Sequence, residues 1–162
     1  MAPRFKVELP GPGHAIIRFW KAGCRTTYAD YGECGKIALT AYAPGRQRGY
    51  VEQWRGEGPL KFVVVTMVEV GERRKGYGTK LYEKAARLAC KHFGVPLVSD
   101  TTGDRSTMAE GFWQKQLRKG RARKLHFIPD DPSGASPRRR VHTRYALRCP
   151  APASLAGVHR RK

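Results

Sequence analysis

The stretch that decides the fold is residues 61–93, KFVVVTMVEVGERRKGYGTKLYEKAARLACKHF. Its first ten residues are rich in β-branched side chains, which predicts a buried strand over residues 61–70. The period then changes, because apolar residues between Tyr77 and Phe93 recur at helical spacing while charged residues occupy the opposite side. Gly94 and Pro96 predict the end of that helix. The stretch therefore predicts a strand, a glycine-rich turn and an amphipathic helix.

Shorter patterns surround this unit on both sides. Strands are predicted before it at residues 5–9, 14–20, 36–42 and 49–54, and after it at residues 97–99, 124–128 and 143–148. A second helix is predicted at residues 106–117. Only the helix that connects Val70 to Leu97 requires a parallel strand pair. The sequence therefore predicts an α+β fold with a mixed, mostly antiparallel sheet flanked by helices.

The length of 162 residues fits one domain with a sizeable core. We place this domain at residues 1–149 and interpret residues 150–162 as a flexible basic tail. The sequence has no run of 18 apolar residues, and its first residues lack the apolar stretch of a secretory signal. We therefore expect a cytoplasmic protein, without membrane association, that is a monomer or a homodimer.

The cysteines are few and widely separated. They are Cys24, Cys34, Cys90 and Cys149, and no two form a Cys-x-x-Cys pair. Zinc sites normally need closely spaced pairs, so we expect no metal site. A disulfide framework is also not expected in a chain of this length without an export signal. The prediction is four reduced thiols, mostly buried.

Charge is the unusual feature of the composition. Thirty-two Lys and Arg against 13 Asp and Glu give a net charge of +19. Residues 114–162 carry 14 basic and two acidic residues, whereas the preceding 113 residues carry 18 and 11. The electrostatic field of such a charge favours polyanionic partners, with tRNA and DNA as candidates, and speeds their association with the protein. A solvated basic surface without a dedicated ligand is the alternative, including for the run Arg138–Arg140.

The glycine-rich turn, RRKGYGT over residues 73–79, suits a phosphate group. Its glycines let the backbone approach a ligand, and the helix start presents unpaired N–H groups to phosphate oxygens. A P-loop is excluded because Tyr77 and Gly78 stand where a lysine and a hydroxyl residue are required. A dinucleotide fingerprint is excluded because Leu81 replaces its third glycine. The template [RQ]-x-x-G-x-[GA] is matched in full.

With this motif the chain resembles the GNAT superfamily of acetyltransferases. A second pattern, Ser106-x-x-Ala109-x-x-Phe112-Trp113, resembles the family's N-x-x-A-x-x-F-Y, with Ser for Asn and Trp for Tyr. The resemblance extends from about Lys36 to Arg148. It implies a fold of α/β/α type with a sheet of six to seven strands. It also implies an acyltransferase, specifically a GNAT-type N-acetyltransferase, that uses acetyl-CoA as cosubstrate.

The resemblance also implies the cofactor contacts. Val68 and Val70 would offer backbone groups to the pantetheine arm. The pyrophosphate would be held by the backbone amides of the turn, contributed by Arg73, Arg74, Lys75, Gly76, Tyr77, Gly78 and Thr79. Ser106 would hydrogen-bond the cofactor or cap its helix, and Trp113 occupies the family's tyrosine position. For the three basic residues of the turn, an ordinary exposed loop is the alternative.

In the resembled family the amine attacks acetyl-CoA directly, which requires a neutral amine and a stabilised oxyanion. Glu69 is the candidate general base, since it is a charged residue within an apolar strand. Alternation places it on the opposite sheet face from Val68 and Val70, and burial would make it a stronger base. The alternative is that Glu69 is an ordinary polar residue on a half-exposed strand, without a catalytic role. An indole N–H cannot supply a proton at neutral pH, so Tyr77, rather than Trp113, is the candidate general acid, unless water serves or the thiolate leaves unaided.

The leading hypothesis is an N-acetyltransferase whose acceptor amine lies on a nucleic acid or a nucleic-acid-associated macromolecule. One alternative is a small-molecule amine acetyltransferase, for which the positive charge serves solubility or attraction of CoA. The other is a non-catalytic nucleic-acid-binding protein on a GNAT-like scaffold, which the Trp113 substitution favours.

Overall fold

The computed structural model describes residues 3–24, 32–44, 51–53, 60–71, 75–100, 106–127 and 142–150. Its strands are β1 (Arg4–Gly11), β2 (His14–Trp20), β3 (Glu33–Pro44), β4 (Val51–Gln53), β5 (Phe62–Val70), β6 (Leu97–Val98), β7 (Ala122–Phe127) and β8 (His142–Leu147). Its helices are α1 (Tyr77–Leu88), which a π-helical turn at Ala89–Phe93 continues, and α2 (Thr107–Arg118). The predicted mixture of strands and helices, and their order, are confirmed.

One sheet contains all eight strands. Seven follow one another in the order β1-β2-β3-β5-β6-β8-β7, and β4 pairs with β3 outside that order. The pair β5–β6 is parallel and the other pairs are antiparallel. The mostly antiparallel sheet is therefore confirmed, and its parallel pair lies where α1 connects the two strands, as the crossover requires.

The core lies mainly on one face of this sheet. Strand β2 shows the pattern clearly, because Ala15, Ile17 and Phe19 are buried while the residues between them are only half-buried. The same core cluster includes buried side chains of both helices, such as Leu81 and Trp113. The cluster on the opposite face is small and consists of Val64, Val98 and Ala146. Both helices therefore cover the same face, and the second helical layer of an α/β/α arrangement is not found among the described residues.

Aromatic side chains join α1, α2 and β8. The rings of Tyr82 and Phe112 are stacked with their centroids 4.3 Å apart, and Trp113 meets Tyr82 edge-on at 5.7 Å. Trp113 also stacks on Tyr145 at 6.0 Å and is fully buried. Since aromatic residues contribute the largest buried areas, this group fixes the position of α2 against α1 and the sheet.

The prediction of four reduced thiols is wrong. The structure pairs Cys24 with Cys34 and Cys90 with Cys149, with Cα–Cα distances of 4.9 and 5.6 Å. The first pair closes the β2–β3 connection, where the Gly32 N–H donates to the Cys24 carbonyl. The second pair joins partners 59 positions apart. Sequence spacing did not reveal either pair, because the fold rather than the local sequence brings the cysteines together.

Several predicted features lie outside the described residues. They are Arg73, Arg74, the run Arg138–Arg140, and residues 151–162 of the proposed tail. The domain boundary at residue 149 therefore stays a prediction. Within the described part of the chain, no helix has the length and apolar character needed to cross a membrane.

Candidate functional site

The two edges of β5 are occupied to very different extents. Strand β3 pairs with β5 along its whole length, from Phe62 to Val70. Strand β6 pairs with it only at Val63 and Val64. The six residues of β5 that follow, Val65 to Val70, therefore have no strand neighbour on that side among the described residues. This divergence opens a cleft between β5 and the elements that follow β6.

A bulge in β5 decides which side chains reach the cleft. Ala38 pairs with Met67 while Leu39 pairs with Val65, so Thr66 is an extra residue on β5. Its hydroxyl donates to the Ala38 carbonyl at 3.2 Å. A one-residue shift moves every following side chain to the other face of the strand. As a result, Val68 and Val70 pack against the main core beneath α1.

The backbone N–H and C=O groups of Val68 and Val70 are directed toward the cleft. The Gly71 N–H donates to the Cys34 carbonyl at 3.0 Å, which fixes the phase of the β3–β5 ladder. Residues of an antiparallel strand turn their N–H and C=O groups alternately toward and away from the partner strand. Glu69 therefore bonds toward β3, whereas Val68 and Val70 direct their N–H and C=O groups toward the cleft. These are the two residues that the family resemblance assigns to the pantetheine arm.

The N-terminus of α1 forms a second side of the cleft. Gly76 precedes the helix with φ 77° and ψ 10°, a left-handed conformation that favours glycine, and none of the described side chains caps the helix. The first backbone bond of the helix runs from the Lys80 N–H to the Gly76 carbonyl, at 3.2 Å. The amides of Tyr77, Gly78 and Thr79 consequently have no acceptor within the helix. Together with the helix dipole, they favour an anion at this point.

Close packing brings this helix start against the end of β5. A Cβ atom built on Gly78 would lie 3.7 Å from Cγ2 of Val70. The unpaired amides of α1 and the free backbone groups of β5 thus border the same space. Lys75 is exposed just before the helix and does not line the cleft.

The wall opposite β5 is the first part of α2. The Ser106 hydroxyl accepts a hydrogen bond from the Ala109 N–H at 3.1 Å, so it caps the helix. Of the two roles left open for Ser106, the structure shows the capping role. Met108, Ala109 and Phe112 follow on the cleft side of α2, and Tyr82 of α1 completes this wall. Helical periodicity alone could not identify Tyr82 and Met108, because an apolar stripe predicts burial in a core and in a cleft equally well.

The cleft has a volume of about 460 Å³, within the range of small-molecule sites. The structure brings together most of the predicted site residues along it. Those that line it are Val68, Glu69, Val70, Gly76, Tyr77, Gly78, Thr79 and Ser106.

Two aromatic residues of the prediction are placed differently. Tyr77 lines the cleft, but it is only 7% exposed and its ring lies 5.5 Å from that of Phe19. Trp113 is fully buried and is not among the lining residues. Its contacts are with Tyr82 and Phe112, which do line the cleft. Trp113 therefore supports the wall and does not provide the predicted direct contact with a cofactor.

The burial expected for Glu69 is not observed. Its side chain is 38% exposed and forms an ion pair with Lys36, with 3.4 Å between Nζ and Oε2. The reason is that no helix covers this face of the sheet in the described part of the chain. Glu69 does lie on the opposite face from Val68 and Val70, as local alternation predicts.

A second ion-pair group lies on the same outer face. Arg18 contacts Glu33 at 3.2 Å and Glu8 at 3.4 Å. Burial opposes the charged form of Arg18, but attraction by Glu33 and Glu8 outweighs it and raises the pKa of the guanidinium above its ordinary value. The carboxylates of Glu8, Glu33 and Glu69 on this face therefore each have a basic partner within 3.5 Å.

Among the residues that the structure describes, no three His, Cys, Asp or Glu side chains are grouped closely enough to hold a metal ion. No match was found when the chain was compared with protein-family models, curated proteins and solved structures. The ligand of the cleft is therefore inferred from its residues and geometry.

Proposed function

We propose that the protein is an acetyl-CoA-dependent N-acetyltransferase of the GNAT type. One observation carries this proposal: the free backbone edge of β5 and the uncapped start of α1 border a single cleft. An extended amide-containing chain suits the first feature and a pyrophosphate suits the second. Acetyl-CoA has both groups in one molecule.

The residues of the cleft fit the two parts of this cosubstrate. The amides of Tyr77, Gly78 and Thr79 would donate to pyrophosphate oxygens, and Lys75 would add positive charge nearby. The N–H and C=O groups of Val68 and Val70 would pair with the amides of the pantetheine arm, as an added strand pairs with a sheet edge. Arg73 and Arg74 belong to the same proposed turn, on the basis of the motif alone.

The proposed reaction is direct transfer of the acetyl group from sulfur to nitrogen. Glu69 would accept a proton from the acceptor ammonium, directly or through water, so that the neutral amine can attack the thioester carbonyl. The tetrahedral intermediate would then collapse, breaking the C–S bond and releasing CoA thiolate. Tyr77 or water would protonate that thiolate. The products are the acetylated amine and CoA.

The acceptor is proposed to be an amine on a nucleic acid or on a macromolecule associated with one. The net charge of +19 supports this choice, because such a field attracts polyanions. A small amine remains the alternative acceptor, and turnover on a polyamine panel compared with aminoacyl-tRNA discriminates the two. Turnover confined to the small amines would contradict the macromolecular acceptor.

A second candidate function is nucleic-acid binding without catalysis. The observations that favour it are the replacement of the family's tyrosine by Trp113 and the half-exposed position of Glu69. In that case the binding of DNA or RNA would not depend on acetyl-CoA, and no acetyl transfer would be detected with any amine.

We propose the cytoplasm as the compartment, since acetyl-CoA and nucleic acid are both present there. The two disulfides that the structure forms, Cys24–Cys34 and Cys90–Cys149, are rare in that compartment and weigh against it. Trapping of thiols by rapid alkylation in intact cells checks this proposal. Fully oxidised pairs would indicate an oxidising compartment instead.

The test of the cofactor site is calorimetric titration with acetyl-CoA of the wild type and of Gly78→Asp. The new carboxylate would stand where the pyrophosphate is proposed to bind, and contact between like charges costs several kcal/mol. We expect a micromolar Kd for the wild type and a loss of about a hundredfold or more in the variant. The fold should survive, because a side chain at Gly78 has ordinary room and an acidic residue suits the first turn of a helix.

Gly111→Asp is the matched control. It makes the same change on α2, where a Cβ atom would meet nothing within 4 Å and the residue does not line the cleft. We expect it to bind acetyl-CoA as the wild type does. Equal affinity of the two variants, or no binding by the wild type, would contradict the proposed site.

A further inference from the structure

The end of α2 and the strand after it form a dense group of cations. We call this group the basic corner, and it consists of Lys115, Arg118, Lys119, Arg121, Arg123, Lys124 and Arg148. All seven side chains are exposed. No acidic residue occurs in residues 115–127 or 142–150. The positive charge of this part of the sequence is therefore collected at one place on the surface.

Backbone hydrogen bonds hold the corner together. After α2 the chain reverses at Gly120, with φ 69°, and the Arg121 N–H donates to the Gln116 carbonyl at 2.9 Å. The Arg148 N–H then donates to the Arg121 carbonyl at 2.9 Å, which ties the end of β8 to the same turn. The cations consequently project from a fixed framework.

The corner also extends around the edge of the sheet. Strand β7 is the last strand in the sheet order. Ala122 is buried on the helix-covered face, so alternation directs Lys124 to that face and Arg123 to the opposite one. Positive charge is thus presented on both faces of this edge and on the adjoining end of α2.

The cations of the corner differ from those on β1, β2 and β3. There, Lys6, Arg18 and Lys36 form ion pairs with Glu8, Glu33 and Glu69. No acidic side chain pairs with the corner in the described part of the chain. Unneutralised like charges held close together repel one another, and a polyanion relieves that repulsion.

We propose that the basic corner binds the phosphate backbone of double-stranded DNA. Single strands are normally held by stacking on exposed aromatic rings. Among the side chains that the structure describes, the corner offers none, because Tyr145 is buried. Duplex RNA is recognised mostly by shape, through contacts that extend over about 16 base pairs, whereas the corner is confined to the end of α2 and the adjoining ends of β7 and β8. What remains is attraction to the closely spaced phosphates of a DNA duplex.

The position of the corner is compatible with the cleft at the other end of α2. Ser106 and Met108 line the cleft at the start of the helix, whereas the corner surrounds its last turn. A helix of 12 residues is about 18 Å long. DNA bound at the corner would therefore leave the cleft open. The inference does not depend on acetyl-CoA binding.

The test measures binding of a fluorescent DNA duplex of about 20 base pairs by anisotropy, between about 0.05 and 0.3 M salt. The variant K115Q/K119Q/R121Q removes three charges from the corner. Because each phosphate contact contributes about 0.9 to the slope of log K against log salt, we expect the slope to fall by about 2.7. Affinity at about 0.1 M salt should fall on the order of a hundredfold.

The matched control is K61Q/R87Q/K91Q, which also removes two lysine charges and one arginine charge. These residues are exposed and lie outside the corner. We expect the control to keep most of the affinity and the slope of the wild type. Thermal unfolding and acetyl-CoA titration of both variants should match the wild type, which separates this test from the test of the proposed function.

Three outcomes would overturn the proposal. Equal losses in the two variants would mean that DNA responds to net charge and not to the corner. An unchanged slope in the corner variant would place the DNA contacts elsewhere. Tighter binding of an RNA duplex or of a single strand, lost in the corner variant, would assign the surface to that nucleic acid instead.

Discussion

The two edges of β5 show how one strand can serve structure on one side and binding on the other. Toward β3 the ladder is continuous from Phe62 to Val70. Toward β6 it ends after Val64, and the cleft begins. The edge facing β3 is closed by backbone pairing, whereas the open edge leaves the groups of Val68 and Val70 for a ligand. The difference arises from the shortness of β6, which has only two residues.

The bulge at Thr66 affects both edges of β5. Because it adds one residue to β5, it sets which residues bond to β3 and which face the cleft. Without it, Met67 and Glu69 would take the place of Val68 and Val70, and a carboxylate would lie in the core beneath α1. A local irregularity on the closed edge therefore determines the chemistry of the open edge.

The largest effect should come from breaking the closed edge at Gly35. A Cβ atom there would lie 2.6 Å from the Glu69 carbonyl oxygen and 3.1 Å from Cδ1 of Leu81. Neither neighbour can move without disturbing β5 or α1. We expect Gly35→Ala to lower the free energy of unfolding by about 3 kcal/mol, as other overpacked positions do, in urea denaturation.

Gly78→Ala provides the comparison at the start of α1, which faces the open end of β5. Its new methyl group would make an ordinary contact, 3.7 Å from Val70. Since alanine also favours helix over glycine, its unfolding free energy should stay within about 1 kcal/mol of the wild type or rise. Equal losses of stability in the two variants would show that the open edge is packed as tightly as the closed one.

A smaller effect on stability is expected at Glu69. Its backbone pairs with β3 on the closed edge, and its carboxylate is the proposed general base. Its ion pair with Lys36 joins side chains that are 38% and 27% exposed, so Glu69→Gln should cost less than about 1 kcal/mol. The acetyl-CoA affinity should not change. The rate of acetyl transfer should fall about a hundredfold or more if this carboxylate accepts the proton.

Glu83→Gln, on the exposed side of α1, is the control for that measurement. It should leave both the rate and the affinity unchanged. A Glu69→Gln enzyme with the wild-type rate would assign the base to another group or to water, and would restrict the closed edge to a structural role.

The strand and helix that frame the site could be predicted from local sequence. The β-branched run of β5 and the apolar stripe of α1 each have a clear period, and Gly76 and Gly94 mark both ends of the helix. The single parallel pair followed from the crossover between Val70 and Leu97. Alternation over three residues was sufficient to separate Glu69 from its valine neighbours.

The remaining features depend on contacts between distant parts of the chain. Nothing in the composition around Thr66 marks a bulge, because the shift is defined by pairing with Ala38 and Leu39. The half-exposed state of Glu69 depends on both helices lying on the other face of the sheet. The pair Cys90–Cys149 likewise joins positions 59 apart, which only the fold brings together.

The most direct test of the central claim is amide exchange of β5 measured by NMR, with and without acetyl-CoA. In the free protein, the amides of Val68 and Val70 should exchange much faster than those of Met67 and Glu69, which bond to β3. Acetyl-CoA should slow the exchange of the two valine amides and leave the other two unchanged. Exchange of Val68 and Val70 that is already slow in the free protein, or that acetyl-CoA does not alter, would contradict the claim that the open edge of β5 binds the cosubstrate.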